Sequence, residues 1–175
     1  MAAGDESALP AVTLSEAQAY ARVESGEEEA LLVGLVRSAS ALCEAFTGQL
    51  LIRRAQAVEV RAGGDWQRLG PVPVRAITAV EAPDGGALEV GAYETDIDAR
   101  GEGWVRLTNV GAAQAVRVRL EAGMAGDANG VPEPLRQGIL RLVAHMYASR
   151  DAGAGGEPPA AVTALWRPYR RMRLS

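Results

Sequence analysis

The spacing of apolar residues changes twice along this sequence, and that change constrains the fold more than any other feature. In residues 13–48 and 132–150, apolar side chains recur every three or four positions, as in amphipathic helices. In residues 50–123 they alternate in short runs separated by Gly, Pro and Asp, which is typical of antiparallel strands joined by turns. The sequence therefore predicts an α+β fold, a small α-helical bundle with an inserted antiparallel β lobe and an extended C-terminal docking tail.

Local signals bound the predicted helices. Thr13 and Glu16 have the spacing of a capping box, so a short helix is expected to start there and to run to about Val23. Three acidic residues at 27–29 favour the start of a second helix, because negative charge is stabilised at a helix N-terminus. Gly48 is expected to end that helix.

Apolar stripes on these helices are expected to pack in the bundle. On the second helix, one apolar stripe is formed by Leu31, Leu35, Leu42 and Phe46. A neighbouring stripe is formed by Leu32, Val36, Ala39 and Cys43. The predicted packing residues of the second helix and of the helix after residue 132 are Leu31, Leu35, Leu42, Phe46, Leu135, Ile139, Leu142 and Met146.

Composition shifts divide the chain into four predicted regions. Residues 1–49 are the N-terminal helices, and residues 50–123 are the inserted β lobe with about six strands. Residues 124–151 contain a core helix, and residues 152–175 are a linker followed by the C-terminal tail. The linker is expected at 151–159, where Gly and Pro are frequent.

The few Cys and His residues argue against disulfides, metal sites and catalytic sites. A single Cys and a single His exclude an internal disulfide and a closed Cys/His zinc site. His145 has no paired nucleophile, Cys43 is expected to be a small buried hydrophobe, and Asp96 and Asp98 offer too few oxygens for a hard cation. The sequence therefore predicts a protein that is not an enzyme, with no catalytic residue, no metal and no cofactor.

Neither a membrane span nor a secretory signal is predicted. No uninterrupted apolar run approaches the roughly 20 residues that cross a bilayer. Residues 1–10 are acidic and lack the basic-then-apolar order of a signal peptide. We therefore expect a soluble, intracellular protein that does not contact a membrane.

The C-terminal tail combines basic and aromatic residues. All 18 basic residues of the chain are arginine, and the net charge is −4. Residues 158–175 contain four arginines and no acid, together with Leu, Trp, Tyr and Met, a composition enriched at protein interfaces. We expect this tail to gain its order on a protein partner, so that truncation before Pro158 leaves a folded protein. The alternatives are packing on its own core and a basic arm for nucleic acid.

The order and spacing of several segments resemble the head–tail connector (adaptor) family of tailed bacteriophages and gene transfer agents. The last long helix and the tail that follows it carry the most specific part of this resemblance. The segments are Thr13–Ala17, Glu44–Gly48, Pro71–Val74 leading to Ile77–Val80, Pro134–Tyr147 through Ser149 and Arg150, and Pro158-Pro159 with Val162, Leu165 and Pro168-Tyr169-Arg170.

The resemblance implies a structural role in the neck of a virion or phage-like particle, assembled in the bacterial cytoplasm. Its helices would build a homo-oligomeric ring, typically of twelve subunits, that binds the portal protein on one side and a stopper or tail-tube component on the other. DNA would pass through the central channel without specific binding. The alternative is a small nucleic-acid-binding regulator that uses the Arg-rich tail.

The family's C-terminal segment reaches onto the portal, and this role maps to the tail of the present chain. The predicted portal-binding residues are Val162, Leu165, Trp166, Arg167, Tyr169, Arg170 and Arg171.

Overall fold

The computed structural model describes residues 10–24, 26, 28–109, 111, 114–150 and 158–171. The chain forms two compact units, a β unit that spans Arg53–Met124 and an α unit built from the segments on either side of it. The predicted α+β class with an inserted β lobe is confirmed.

Some sequence predictions fall on residues outside this description. They concern the acidic start at residues 1–9, Glu27 in the acidic run, residues 151–157 of the linker, and residues 172–175 with Arg173.

The described part of the α unit contains four α-helices. They are α1 (Leu14–Ala21), α2 (Glu29–Thr47), α3 (Glu133–Ala148) and α4 (Ala160–Trp166). Helix α3 packs against α1, α2 and α4, so it is the central helix of this unit. A single-turn 3-10 helix at Ala128–Gly130 precedes α3, and Asp127 caps it by accepting the backbone N–H groups of Asn129 and Gly130.

The predicted capping box at the start of α1 is confirmed. The Thr13 hydroxyl accepts the Glu16 backbone N–H at 3.2 Å, and the Glu16 carboxylate accepts the Thr13 N–H at 2.7 Å. The same carboxylate forms an ion pair with Arg136, which joins α1 to α3. The hydrogen bond from the Thr13 N–H, supported by the charge of Arg136, holds the pKa of Glu16 below its usual value.

Substitution Glu16→Ala is expected to destabilise the α unit by about 1 kcal/mol at pH 7, the typical effect of losing a helix cap. Because the pKa of Glu16 is lowered in the folded state, its stabilisation is present above the ordinary carboxyl pKa and disappears as the pH falls through the lowered value. Urea unfolding at pH 7 and at pH 3 measures this difference. The exposed Glu24→Ala is the control, and an equal loss for both variants would contradict the role of Glu16.

Helix α2 buries a different stripe from the one predicted. Its buried residues are Leu32, Val36, Ala39, Cys43 and Thr47. Leu31 and Leu42 are 40% and 42% exposed, whereas Leu35 and Phe46 are half-buried. Leu31 and Leu42 are therefore not core positions of the subunit, whereas a place for them in the ring-forming helices stays a prediction. Both stripes are apolar, so the period alone does not identify the one that faces the core.

Helix α3 buries most of its predicted apolar positions. Leu135, Ile139 and Leu142 are buried together with Val143, whereas Met146 is half-buried near the end of the helix. Gly138 also lies on the buried face, and its place against α4 is described below.

Helix α2 is the one described helix that is long and apolar enough to cross a membrane, with 19 residues and a mean hydropathy of 1.4. The prediction that the sequence has no membrane span rests on the lack of an uninterrupted apolar run of about 20 residues, and α2 is not such a run. Length and composition are weak evidence for a span, since core helices of soluble proteins have the same properties. The five buried residues of α2 pack in the α unit as a core helix does.

Among its described residues, the β unit has six strands close to the predicted positions, in two antiparallel three-stranded sheets with the orders β1-β6-β3 and β2-β5-β4. The strands are β1 (Arg54–Arg61), β2 (Gln67–Arg68), β3 (Val74–Glu81), β4 (Tyr93–Ile97), β5 (Gly103–Leu107) and β6 (Ala115–Ala122).

Alternation in β6 determines the core of the first sheet. Val116, Val118 and Leu120 are buried, whereas Arg117 and Arg119 between them face outward. Gly103 lets the second sheet approach the first closely, because a Cβ at this position would lie 2.8 Å from the Val74 side chain. The core of the β unit is therefore formed between β strands of its own two sheets.

Candidate functional site

Residues 158–171, here called the C-terminal segment, contain most of the predicted interface residues. After Pro158 and Pro159, helix α4 begins, and its first backbone hydrogen bond joins the Val162 N–H to the Pro159 carbonyl at 2.8 Å. A 3-10 turn at Arg167–Tyr169 follows α4 directly. A helix of seven residues is marginal in water by itself, so its order depends on packing.

Trp166 is the main anchor of the C-terminal segment. It is 0% exposed, its ring lies 5.8 Å from the Phe46 ring of α2, and its indole Nε1–H donates to the Leu135 carbonyl of α3 at 3.3 Å. A Cβ at Gly138 would overlap the indole, so only glycine leaves room for it. Val162, one turn earlier on the same face, is also buried.

Three hydrogen bonds attach the end of the segment to the end of α2. Gln49 Nε2 donates to the Tyr169 carbonyl at 2.6 Å, and Arg171 Nε donates to Gln49 Oε1 at 3.2 Å. The Arg171 backbone N–H donates to the Thr47 carbonyl at 2.9 Å. That carbonyl belongs to the last turn of α2, where no partner exists within the helix.

The expectation that this segment gains its order on a different molecule is therefore wrong for residues 158–171. They pack on their own α unit, as the self-packing alternative predicts, and Val162 and Trp166 are core residues rather than exposed contact residues. The physical reason is the space above Gly138, which lets a short segment bury an entire indole. A glycine within an otherwise helix-favouring run was the sequence signal for this contact.

The outer side of the segment is basic. Arg167 and Arg170 are exposed, and Leu165, Tyr169 and Arg171 are half-buried. The Arg170 guanidinium lies 5.6 Å from the Phe46 ring centroid, within the range of a cation–π contact. Within the described part of the chain, neither Arg167 nor Arg170 forms an ion pair. Such a surface attracts an acidic partner.

A second polar cluster joins the start of α2 to the end of α3 and was not predicted. The Tyr147 hydroxyl donates to the Glu28 carboxylate, and this hydrogen bond raises the pKa of Tyr147. The Arg150 guanidinium lies 4.3 Å from the Tyr147 ring centroid and 3.5 Å from Glu28. These three contacts lie within the α unit, so we assign the cluster a structural role.

The remaining candidate residues do not assemble a reactive site. Burial raises the pKa of Cys43 to about 12, which keeps its thiol protonated. His145 is exposed on α3, and Asp98 caps a turn by accepting the N–H groups of Arg100 and Glu102. Among the described residues, no group of three or more His, Cys, Asp or Glu side chains is placed to hold a metal ion.

Solved structures similar to this chain come from gene transfer agent (GTA) particles. A chain in the neck of an empty GTA particle, computed with C6 symmetry, is 26% identical, with a TM-score of 0.73 over 94% of this chain and 92% of that one. A chain in the virion of a native GTA particle is 25% identical, with a TM-score of 0.71 over 97% and 95%.

A chain in the neck of a native GTA particle, computed with C12 symmetry, is 24% identical, with a TM-score of 0.75 over 100% of this chain and 98% of that one. No protein-family model and no curated protein sequence matches the chain. The resemblance to the head–tail connector family is confirmed by these near full-length structural matches, and the chain has the fold found in GTA necks.

Proposed function

We propose that this protein is a structural component of the neck of a gene transfer agent or related phage-like particle, where it acts as a head–tail connector. The observation that carries the proposal is the similarity to GTA neck and virion chains over more than 90% of both chains, at 25–26% identity. A match of that extent includes both the α unit and the β unit, rather than a single shared motif.

The protein works as a ring of identical subunits. The cyclic symmetry with which the similar necks were computed supports this arrangement, and the family resemblance gives twelve as the subunit number. In a cyclic ring each subunit meets its two neighbours through two different surfaces. The ring joins the portal to a stopper or tail-tube component and leaves a central channel for DNA.

Charge favours a conduit over a DNA-binding protein. The net charge of −4 repels the phosphate backbone, so DNA passes the ring without being held. The exposed arginines of the C-terminal segment are confined to one short stretch of the α unit. This local basic surface suits an acidic patch on a neighbouring protein.

The portal contact lies on the outer side of the C-terminal segment. Arg167 and Arg170 supply the charge, and Leu165, Tyr169 and Arg171 supply the half-exposed surface around it. Trp166 and Val162 act indirectly, because they hold the segment on its own subunit. A segment that is ordered before binding loses less conformational entropy when it docks.

The double substitution Arg167→Glu with Arg170→Glu tests this contact. We expect the apparent dissociation constant for portal rings to rise about tenfold or more, because two favourable charges become repulsive. Measured binding of the unsubstituted protein should weaken as salt rises above 0.15 M, where the screening length falls below about 8 Å. Sedimentation of portal rings mixed with the purified protein gives both quantities.

Arg141→Glu is the control, since it changes one exposed arginine on α3 and should leave portal binding unchanged. Equal portal binding by the double variant and the control would contradict the proposed contact. Micromolar binding of duplex DNA with a steep salt dependence, abolished by the double variant, would instead favour the nucleic-acid-binding regulator.

A further inference from the structure

The solvent side of α2 carries an apolar surface that the α unit does not cover. We define the α2 outer face by six exposed, uncharged residues opposite the buried stripe, Leu31, Gly34, Ser38, Ala41, Leu42 and Ala45. They span fifteen positions, which corresponds to about 21 Å along the helix axis. Leu31 and Leu42 are among the large hydrophobic side chains most exposed in the described chain.

Among the described residues, charged side chains border this face at its margins. Arg37 is exposed on one side, and Arg170 lies over Phe46 on the other. An apolar centre with a polar rim is the usual anatomy of a protein interface, and the more apolar ones belong to permanent complexes. The composition of the α2 outer face is therefore typical of a permanent protein–protein contact.

Gly34 gives independent support, because no described neighbour within the subunit requires a glycine there. A Cβ at Gly34 would meet no atom within 4 Å, and glycine in a helix interior is less stable than alanine. Its absent side chain instead leaves space at the centre of the α2 outer face. A neighbouring chain approaches a helix most closely where a glycine faces it.

From these observations we infer that the α2 outer face is the contact with a second copy of this chain in the ring. This inference rests on the proposed function, which requires every subunit to touch two copies of itself permanently. The portal contact is assigned to the basic C-terminal segment, so the uncharged face suits the same-chain neighbour better. The neighbour meets it with a different surface, since cyclic contacts are heterologous.

Photo-crosslinking tests the identity of the neighbour. Benzoylphenylalanine placed at Ser38 lies at the centre of the face, and irradiation of purified particles should yield a product of two 18.3 kDa chains. A crosslink to the portal or to another neck protein would overturn the inference while leaving the neck assignment intact. Absence of the unsubstituted protein from particles would overturn both.

The substitution Gly34→Leu separates assembly from folding. Within the subunit the new side chain meets open space, and leucine favours helix, so the midpoint of thermal unfolding should stay equal or rise. Incorporation into particles should fall at least tenfold, because the side chain blocks the approach of the next subunit.

Ala148→Leu adds the same side chain to an exposed position of α3 and is the matched control. Normal incorporation of a stably folded Gly34→Leu variant would overturn the inference. Loss of incorporation by both variants to the same extent would also overturn it, because the effect would then not be specific to α2.

Discussion

Replacement of Trp166 by alanine is expected to lower the free energy of unfolding of the α unit by about 3–5 kcal/mol, the usual cost of deleting a buried aromatic side chain. The indole is 0% exposed, and its removal leaves a cavity between Phe46 and α3. It also removes the hydrogen bond from Nε1 to the Leu135 carbonyl. Urea unfolding followed by circular dichroism measures the loss.

Leu165→Ala is the matched control, since Leu165 is the half-buried neighbour of Trp166 in the same helix. It should cost much less, about 1 kcal/mol. An effect of Trp166→Ala below 1 kcal/mol would show that the tryptophan does not anchor the segment. Trp166→Ala is also expected to bind portal rings more weakly, because it loses the ordered segment.

Deletion of residues 158–175 is expected to leave the α unit unfolded or aggregated. The deletion removes Val162 and Trp166 from the core and exposes the Phe46 ring and the Thr47 carbonyl. The combined loss is at least that of Trp166→Ala, and the total stability of a domain is only about 5–15 kcal/mol. This reverses the expectation that truncation before Pro158 leaves a folded protein.

Deletion of residues 172–175 alone is the control for that experiment. It keeps every described contact of the C-terminal segment, including the hydrogen bonds of Gln49 with Tyr169 and Arg171. We expect this shorter deletion to lower the thermal midpoint much less than the longer deletion does. A soluble, cooperatively unfolding protein after the longer deletion would mean that the segment does not belong to the α-unit core.

Local signals in the sequence were sufficient for most of the secondary structure. The capping box at Thr13 and the left-handed glycine at Gly48 are short-range devices, readable from a few neighbouring residues. In β6 the buried face is the apolar one, as the alternation of polar and apolar residues along a strand allows. Such signals do not depend on the tertiary neighbours.

Long-range packing could not be predicted in the same way. Helix α2 has two adjacent apolar stripes, and its contacts with α1, α3 and α4 determine which one is buried. The position of Trp166 depends on space above Gly138, which is 28 residues away in the chain. The composition of the C-terminal segment indicated an interface, but it did not identify its own subunit as the first surface it contacts.

For the candidate site, the exposed charges were predictable and the buried anchors were not. Arg167 and Arg170 are solvent-exposed as an Arg-rich flank should be, whereas Val162 and Trp166 were assigned to the partner. Aromatic and aliphatic side chains favour burial in any apolar surface, whichever molecule supplies it. Charged side chains are seldom fully buried, so their exposure follows from residue type alone.

Electron cryo-microscopy of the neck of particles purified from cells that produce them tests the central claim most directly. The account predicts a ring of this chain beneath the portal, with Trp166 seated against α3 of its own subunit and the α2 outer face covered by the next copy. A neck complete in all its components but without this chain would contradict it.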